Sequence, residues 1–165
     1  MSLESQSPYD THAFGTAARN RDCGGDESLH SATPSAAIGL VVLTLSSFEE
    51  DHICLRHILG SSTRFAQQAH TCQQALDRIR AGNISVLICE TDLPDGSWRD
   101  VLSGLAAETA APPLIVASRL ADDRLWAEVL TLGGDDVLSK PFDAGEVLWA
   151  VHCACSRVRP GLGQV

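Results

Sequence analysis

The run Val86-Leu87-Ile88-Cys89 stops at a carboxylate, Glu90, and the turn formers Pro94-Asp95-Gly96 follow four residues later. A short, wholly apolar run bounded in this way describes a strand buried on both faces. Such strands belong mainly to parallel sheets covered by helices on each side. Open sheets of that kind place their ligands at the carboxyl ends of the strands. The stretch therefore constrains fold and site together, and it sets Glu90 at the sheet edge where chemistry is expected.

Around it, apolar runs alternate with amphipathic stretches. Residues 38–45 read as a first buried strand, ended by Ser46-Ser47. Residues 49–59 read as a helix with Ile53, Leu55, Ile58 and Leu59 apolar and Gly60 as its C-terminal glycine. Residues 64–69 suit a short edge strand, and residues 71–81 a helix with Ala75, Leu76 and Ile79 inward. Residues 84–89 form the third strand, residues 97–108 a helix and residues 113–117 the fourth strand. Residues 122–132 form a helix with Leu125, Val129 and Leu132 on one face, closed by Gly133-Gly134. Residues 136–138 form a short fifth strand, and residues 143–157 a last helix with Val147, Val151, Ala154 and Val158 at helical spacing.

Five strands alternating with five helices define an α/β three-layer sandwich around a parallel sheet. With right-handed crossovers, the flavodoxin-like order 2-1-3-4-5 leads, and it sets Ser46-Ser47 beside Glu90. This domain spans residues 37–158. Residues 1–36, rich in Ser, Thr, Gly and Asp without an apolar period, read as a disordered tail, and residues 159–165 as a C-terminal tail.

Charge narrows the function classes. Twelve basic residues against 21 acidic give a formal charge of −9, which argues against nonspecific nucleic-acid binding and against docking on anionic lipid. No apolar run approaches the ~20 residues of a membrane span. The N-terminus lacks the order of a signal peptide. The six cysteines lack zinc or redox spacing and read as reduced, mostly buried thiols of a cytoplasmic protein. A G-x-S-x-G elbow and a G-x-G-x-x-G loop are both absent, so hydrolase and dinucleotide chemistry are disfavoured.

Ser46, Ser47, Glu90, Ser118 and Lys140 are expected to converge at one sheet edge. A lysine at a strand end can neutralise a carboxylate or hold a phosphoryl group, and Ser118 can donate a hydrogen bond to the same group. Lys140-Pro141 is a candidate cis peptide.

The motifs Glu90-Thr-Asp-Leu-Pro94, Ser118, Gly133-Gly134-Asp135-Asp136-Val137 and Lys140-Pro141-Phe142 resemble those of CheY-like response-regulator receiver domains over residues 38–158. The resemblance implies a part in two-component phosphorelay signalling, not a conventional enzyme. In that family an Asp at the Glu90 position accepts a phosphoryl group from a histidine kinase. An acidic pair at the Ser46 and Ser47 positions holds Mg²⁺, and the residues at the Ser118 and Lys140 positions bind the phosphoryl oxygens. An aromatic at the Val137 position carries the switch to the face formed by helix four, strand five and helix five.

This chain keeps Ser118 and Lys140 but has Glu90, Ser46-Ser47 and Val137 at the other positions, and Trp98 where a glycine usually follows the proline turn. Neutral hydroxyls are poor ligands for Mg²⁺, so its binding is expected to be weak or lost. The leading reading is a stand-alone pseudo-receiver, an interaction module without phosphotransfer. In a variant of it, Glu90 reaches Lys140 and Ser118 and imitates the phosphorylated state. The alternatives are phosphorylation at Asp92, or at Glu90 itself, and a flavodoxin-like cofactor-binding protein. Asp95 and Asp100 are expected to cap and flank the third helix. Trp126 and Trp149 are expected to face outward on helices four and five, and with Val137 to mark a surface for a kinase, an effector or a second copy. Because little chain follows the last helix, output is expected to pass through a partner.

Overall fold

A computed structural model of the chain describes residues 39–60 and 65–157. The proposed tails, Val158 and the beginnings of the first two expected strands lie outside those residues. The elements are β1 (Val41–Leu45), α1 (Glu49–Leu59), β2 (Phe65–Ala69), α2 (Cys72–Arg80), β3 (Val86–Glu90), β4 (Asp92–Leu93), β5 (Gly96–Ser97), α3 (Trp98–Leu105), β6 (Leu114–Ser118), α4 (Asp123–Leu132), β7 (Asp136–Ser139) and α5 (Ala144–Arg157).

Five strands form a parallel sheet in the order β2-β1-β3-β6-β7, which is the expected 2-1-3-4-5. Side chains alternate across it. Leu43, Leu45, Leu87, Cys89, Leu114 and Val116 pack with residues of α2, α3 and α4, including Ala75, Ile79, Val101, Leu105 and Val129. Val42, Val86, Ile88, Ile115 and Ala117 face the other way and meet Leu55 and Leu59 of α1 and Val147, Ala150, Val151 and Ala154 of α5. All five residues of β3 are buried. Its continuous apolar run is thus the consequence of two covered faces.

Polar residues set the element boundaries. Thr71 accepts from Gln74 N at 3.2 Å at the start of α2, and Asp122 accepts from Leu125 N at 2.8 Å at the start of α4. Gly133 ends α4 at φ 103°, a left-handed conformation that glycine adopts without steric cost. A Cβ on the next residue, Gly134, would lie 2.5 Å from Val129 Cγ1, so both glycines are required for separate reasons.

Two local expectations, at Leu132 and Asp95, are corrected, and two others, at Gly60 and Pro94-Asp95-Gly96, hold in a particular form. Gly60 has φ −57° and stays right-handed, so it terminates α1 without the left-handed turn. Leu132 is 50% exposed, because the last turn of α4 runs beyond the core and borders an open groove at the amino ends of β6 and β7. Asp95 does not cap α3. Its carboxylate accepts from Cys72 N at 2.7 Å and Gln73 N at 3.1 Å, at the start of α2. Burial opposes them as the largest single influence, but the hydrogen bonds led by those two amides together outweigh it and hold the Asp95 carboxyl below its usual range. Finally, Pro94-Asp95-Gly96 lies in a two-stranded β4–β5 hairpin that pairs Leu93 with Gly96. Asp100 does flank α3 as expected, accepting from Ser97 N and Ser97 Oγ, each at 2.8 Å.

Candidate functional site

The carboxyl ends of β1, β3, β6 and β7 meet at a crevice. β1 ends at Leu45, so Ser46 sits just past the sheet, tied to β2 by Ser46 N→Ala69 O at 3.1 Å. The Ser46 hydroxyl accepts from Phe48 N at 3.1 Å and donates to Asp51 Oδ2 at 2.5 Å. Ser46 is buried, whereas Ser47 is exposed. β3 delivers Glu90, 7% exposed, beside Ala117 of β6. β7 leads into Lys140, whose backbone N donates to Ser118 O at 2.9 Å, and the Lys140-Pro141 peptide is cis, as the sequence suggested.

Lys140 Nζ lies between two carboxylates. It donates to Asp51 Oδ2 at 2.5 Å and contacts Glu90 Oε2. The three side chains are 6%, 13% and 9% exposed respectively. Thr91 Oγ1 donates to the other Glu90 oxygen at 3.2 Å. The rings of Phe48 and Phe142 stand 5.6 and 5.7 Å from Nζ, within reach of cation–π attraction, and Arg119 lies over the same Phe48 ring at 5.2 Å. The crevice therefore holds two carboxylates around one ammonium, with aromatic walls.

Glu90, Lys140 and Ser46 converge as the sequence suggested. Ser118 is buried at the same edge, but its hydroxyl accepts from Leu120 N at 3.1 Å and makes no hydrogen bond to Glu90. The Glu90-to-Ser118 half of the mimic geometry is not formed. Asp92 is exposed on β4, outside the crevice. Val137 is half-buried and packs against the core, Trp126 is half-buried, and Trp149 is 50% exposed, stacked on His152 with ring centroids 6.3 Å apart.

Sequence reasoning missed Asp51. It sits four residues before Leu55 and eight before Leu59, the buried residues of α1, so helical spacing puts it on the inward stripe. That spacing was the available signal, but Asp51 reads as one of three acids favouring the helix start.

His52 was also underrated. It is fully buried, with Nε2 2.9 Å from Ser46 O and Nδ1 2.8 Å from Thr44 Oγ1. His70 Nδ1 reaches the same Ser46 carbonyl at 3.2 Å, and the two imidazoles meet edge-on with centroids 4.8 Å apart. Burial holds His52 below its ordinary value of 6.5, partly opposed by the Ser46 carbonyl. Both histidines hold the β1–α1 loop that presents Ser46. Burial, helped by Asp95, pushes the Cys72 thiol up to about 12, and burial also raises Cys89, so both stay protonated packing thiols at neutral pH.

A five-stranded 2-1-3-4-5 sheet with a carboxylate and a lysine facing each other at its carboxyl edge defines the CheY-like class of α/β proteins. The chain belongs to the response regulator receiver domain family, whose model matches residues 50–152. It is similar to the KDP operon transcriptional regulatory protein KdpE of Escherichia coli K12, with 31% identity over 91 residues, covering 54% of this chain and 40% of that protein. It spans less than half the length of the curated relatives it matches, 42% and 40% in two of them. Among solved structures it is similar in fold to the Francisella response regulator 1452 receiver domain, with TM-score 0.66 and 22% identity, covering 73% of this chain and all of that one. It is also similar to chemotaxis response regulator CheY4 of Vibrio cholerae, with TM-score 0.64 and 15% identity, covering 70% of this chain and 98% of that one. Membership makes this a receiver domain of two-component signalling and not a conventional enzyme. Among the described residues no helix is long and apolar enough to cross a membrane.

The family implies a Mg²⁺ at this edge, and the residues present do not fit it. Asp51 Oδ2 and Glu90 Oε2 both face an ammonium, and Asp51 Oδ2 also accepts a hydrogen bond from the Ser46 hydroxyl. The void among these side chains measures about 10 Å³, the lower bound for one water. Mg²⁺ requires octahedral oxygen ligands and usually keeps several waters.

Proposed function

We propose that this receiver domain works as a cytoplasmic interaction module that does not undergo phosphotransfer. The observation that carries the reading is the closed Asp51–Lys140–Glu90 cluster. In-line phosphoryl transfer depends on positioning and on cations that neutralise developing charge. Here the lysine suited to the phosphoryl oxygens is committed to two carboxylates, and the acceptor position is buried beneath it. Signal output then passes by contact, and the α4–β7–α5 face is the surface favoured for it. Trp149, 50% exposed, and the half-buried Trp126 give that face aromatic anchors. A kinase, a downstream effector or a second copy of the chain suits such a surface.

Mass spectrometry after treatment with acetyl phosphate and Mg²⁺ tests this. The parent is expected to remain unlabelled. Glu90→Asp is expected to remain unlabelled too, since Ser46 and Ser47 are unchanged. Labelling of the parent at Asp92 or Glu90 would overturn the reading and make the chain a phosphorylatable receiver.

A further inference from the structure

The crevice carries its own cation. Lys140 Nζ touches one oxygen of Asp51 and one of Glu90, which are the two carboxylates of the crevice. Lys140 has little water around it, since its side chain is 6% exposed and flanked by two phenyl rings. Asp51 in turn is steadied by the Ser46 hydroxyl, and Ser46 by Phe48 N. Its anchoring carboxylate thus comes from the first turn of α1 and not from the strand end.

We infer that the Lys140 ammonium occupies the place of a divalent ion, and that Asp51 is the positioning residue that keeps it there. This rests on the reading above. The crevice is then a metal site held shut by an internal ammonium. Removing that one charge leaves two carboxylates facing each other in the space the lysine vacated. Carboxylate oxygens with added water are what a hard divalent cation binds. Loss of a unit positive charge a few ångströms away also strengthens the field felt by such a cation.

The test is Mn²⁺ binding, read by the paramagnetic signal of the free ion and by melting with Mn²⁺ or with chelator, for the parent, Lys140→Ala and Lys140→Met. Lys140→Ala is expected to bind Mn²⁺ at least about tenfold more tightly than the parent. It is also expected to melt higher with Mn²⁺ than with chelator, while the parent melts alike in both. Adding Asp51→Asn to Lys140→Ala should abolish the gain, and adding Asp92→Asn should leave it. If Lys140→Ala folds only with Mn²⁺, the inference stands. If neither lysine variant folds or tightens with Mn²⁺, or if the parent binds Mn²⁺ as tightly as they do, it falls. Acetyl phosphate labelling of the parent would remove the functional reading without touching this result. Equal Mn²⁺ affinities with an unlabelled parent would remove this inference alone.

Discussion

Lys140 with Asp51 and Glu90, and Arg99 with Glu128, are ion pairs of the same chemistry in opposite surroundings. The first cluster lies in the crevice, its side chains 6%, 13% and 9% exposed. The second bridges α3 and α4 on the flank, its partners 51% and 35% exposed. Arg99 also lies 4.9 Å over the Trp98 ring. On the flank, either ion falls back on water when the other is lost. In the crevice, with Lys140 in place, there is room for about one water, so a carboxylate that loses its ammonium is far less well solvated than one on the flank. The difference teaches that a buried pair depends on both members being present, far more than it adds stability of its own.

The largest expected effect follows directly. Lys140→Ala should lower unfolding stability by about 3–5 kcal/mol in the absence of divalent ions, measured by urea denaturation, because it strands two carboxylates. The matching cut on the flank should cost several-fold less. Equal losses at the two sites would break the comparison and mean that water reaches Glu90 freely.

The next effect is at His52, which is buried like Lys140 but uncharged at neutral pH. His52→Leu should cost about 1–3 kcal/mol, because Thr44 Oγ1 and Ser46 O each lose a buried partner. It should also change the pH dependence. Burial lowers His52 from 6.5, against the pull of the Ser46 carbonyl and with His70 adding to the lowering. Below 6.5 the unfolded chain takes up a proton that the folded one refuses, so stability rises with pH there. The contribution of neutral His52 is complete above 6.5 and is lost as pH falls through its lower folded value. The acids Glu49 and Asp51 on the same helix moderate the shift without reversing it. Denaturation across that window should show the slope in the parent and a flatter line in His52→Leu. An unchanged slope would place the titration elsewhere.

These contrasts also explain what the sequence disclosed. The five-stranded sheet was legible because burial on both faces leaves a continuous apolar record, as in Val86–Glu90. The Glu90–Lys140 meeting was legible because strand order alone brings strand ends together. Asp51 was not, because a helix-start acid serves the dipole from any position in the first turn, and only the stripe shared with Leu55 and Leu59 separates it from Glu49 and Glu50. The β4–β5 hairpin escaped because two-residue strands are too short to show a period. Asp95 was assigned to the wrong helix because a turn carboxylate is drawn to any nearby set of free amides, and those of α2 are closer in space than those of α3.

Asp95 gives an intermediate case, an exposed carboxylate with backbone partners. Asp95→Ala should cost about 0.5–2 kcal/mol by leaving the Cys72 and Gln73 amides without their acceptor, as removal of a helix cap does. Its carboxyl lies below the usual range, so this contribution is present above the unfolded value and fades as pH falls through the folded one. Thermal melts at neutral and acidic pH check both signs. A cost surviving unchanged in acid would show that the carboxylate charge is not what α2 needs.

The smallest effects belong to the exposed surface, where stability and function separate. Arg99→Ala should cost about 0–1 kcal/mol, and less at high salt. Trp149→Ala should change stability by no more than about 0.5 kcal/mol, since half the residue already faces water and its one described ring partner, His152, is itself exposed. Yet if the α4–β7–α5 face is the contact surface, Trp149→Ala should weaken association while Arg99→Ala, on α3 and outside that face, leaves it unchanged. Sedimentation of the purified chain, alone and with a captured kinase or effector, reads both. A large loss of stability in Trp149→Ala would make the tryptophan part of the packing and take the anchor away from that face. Weakened binding at unchanged stability would assign it to the partner, because a residue the fold does not need is then needed only by what docks on it.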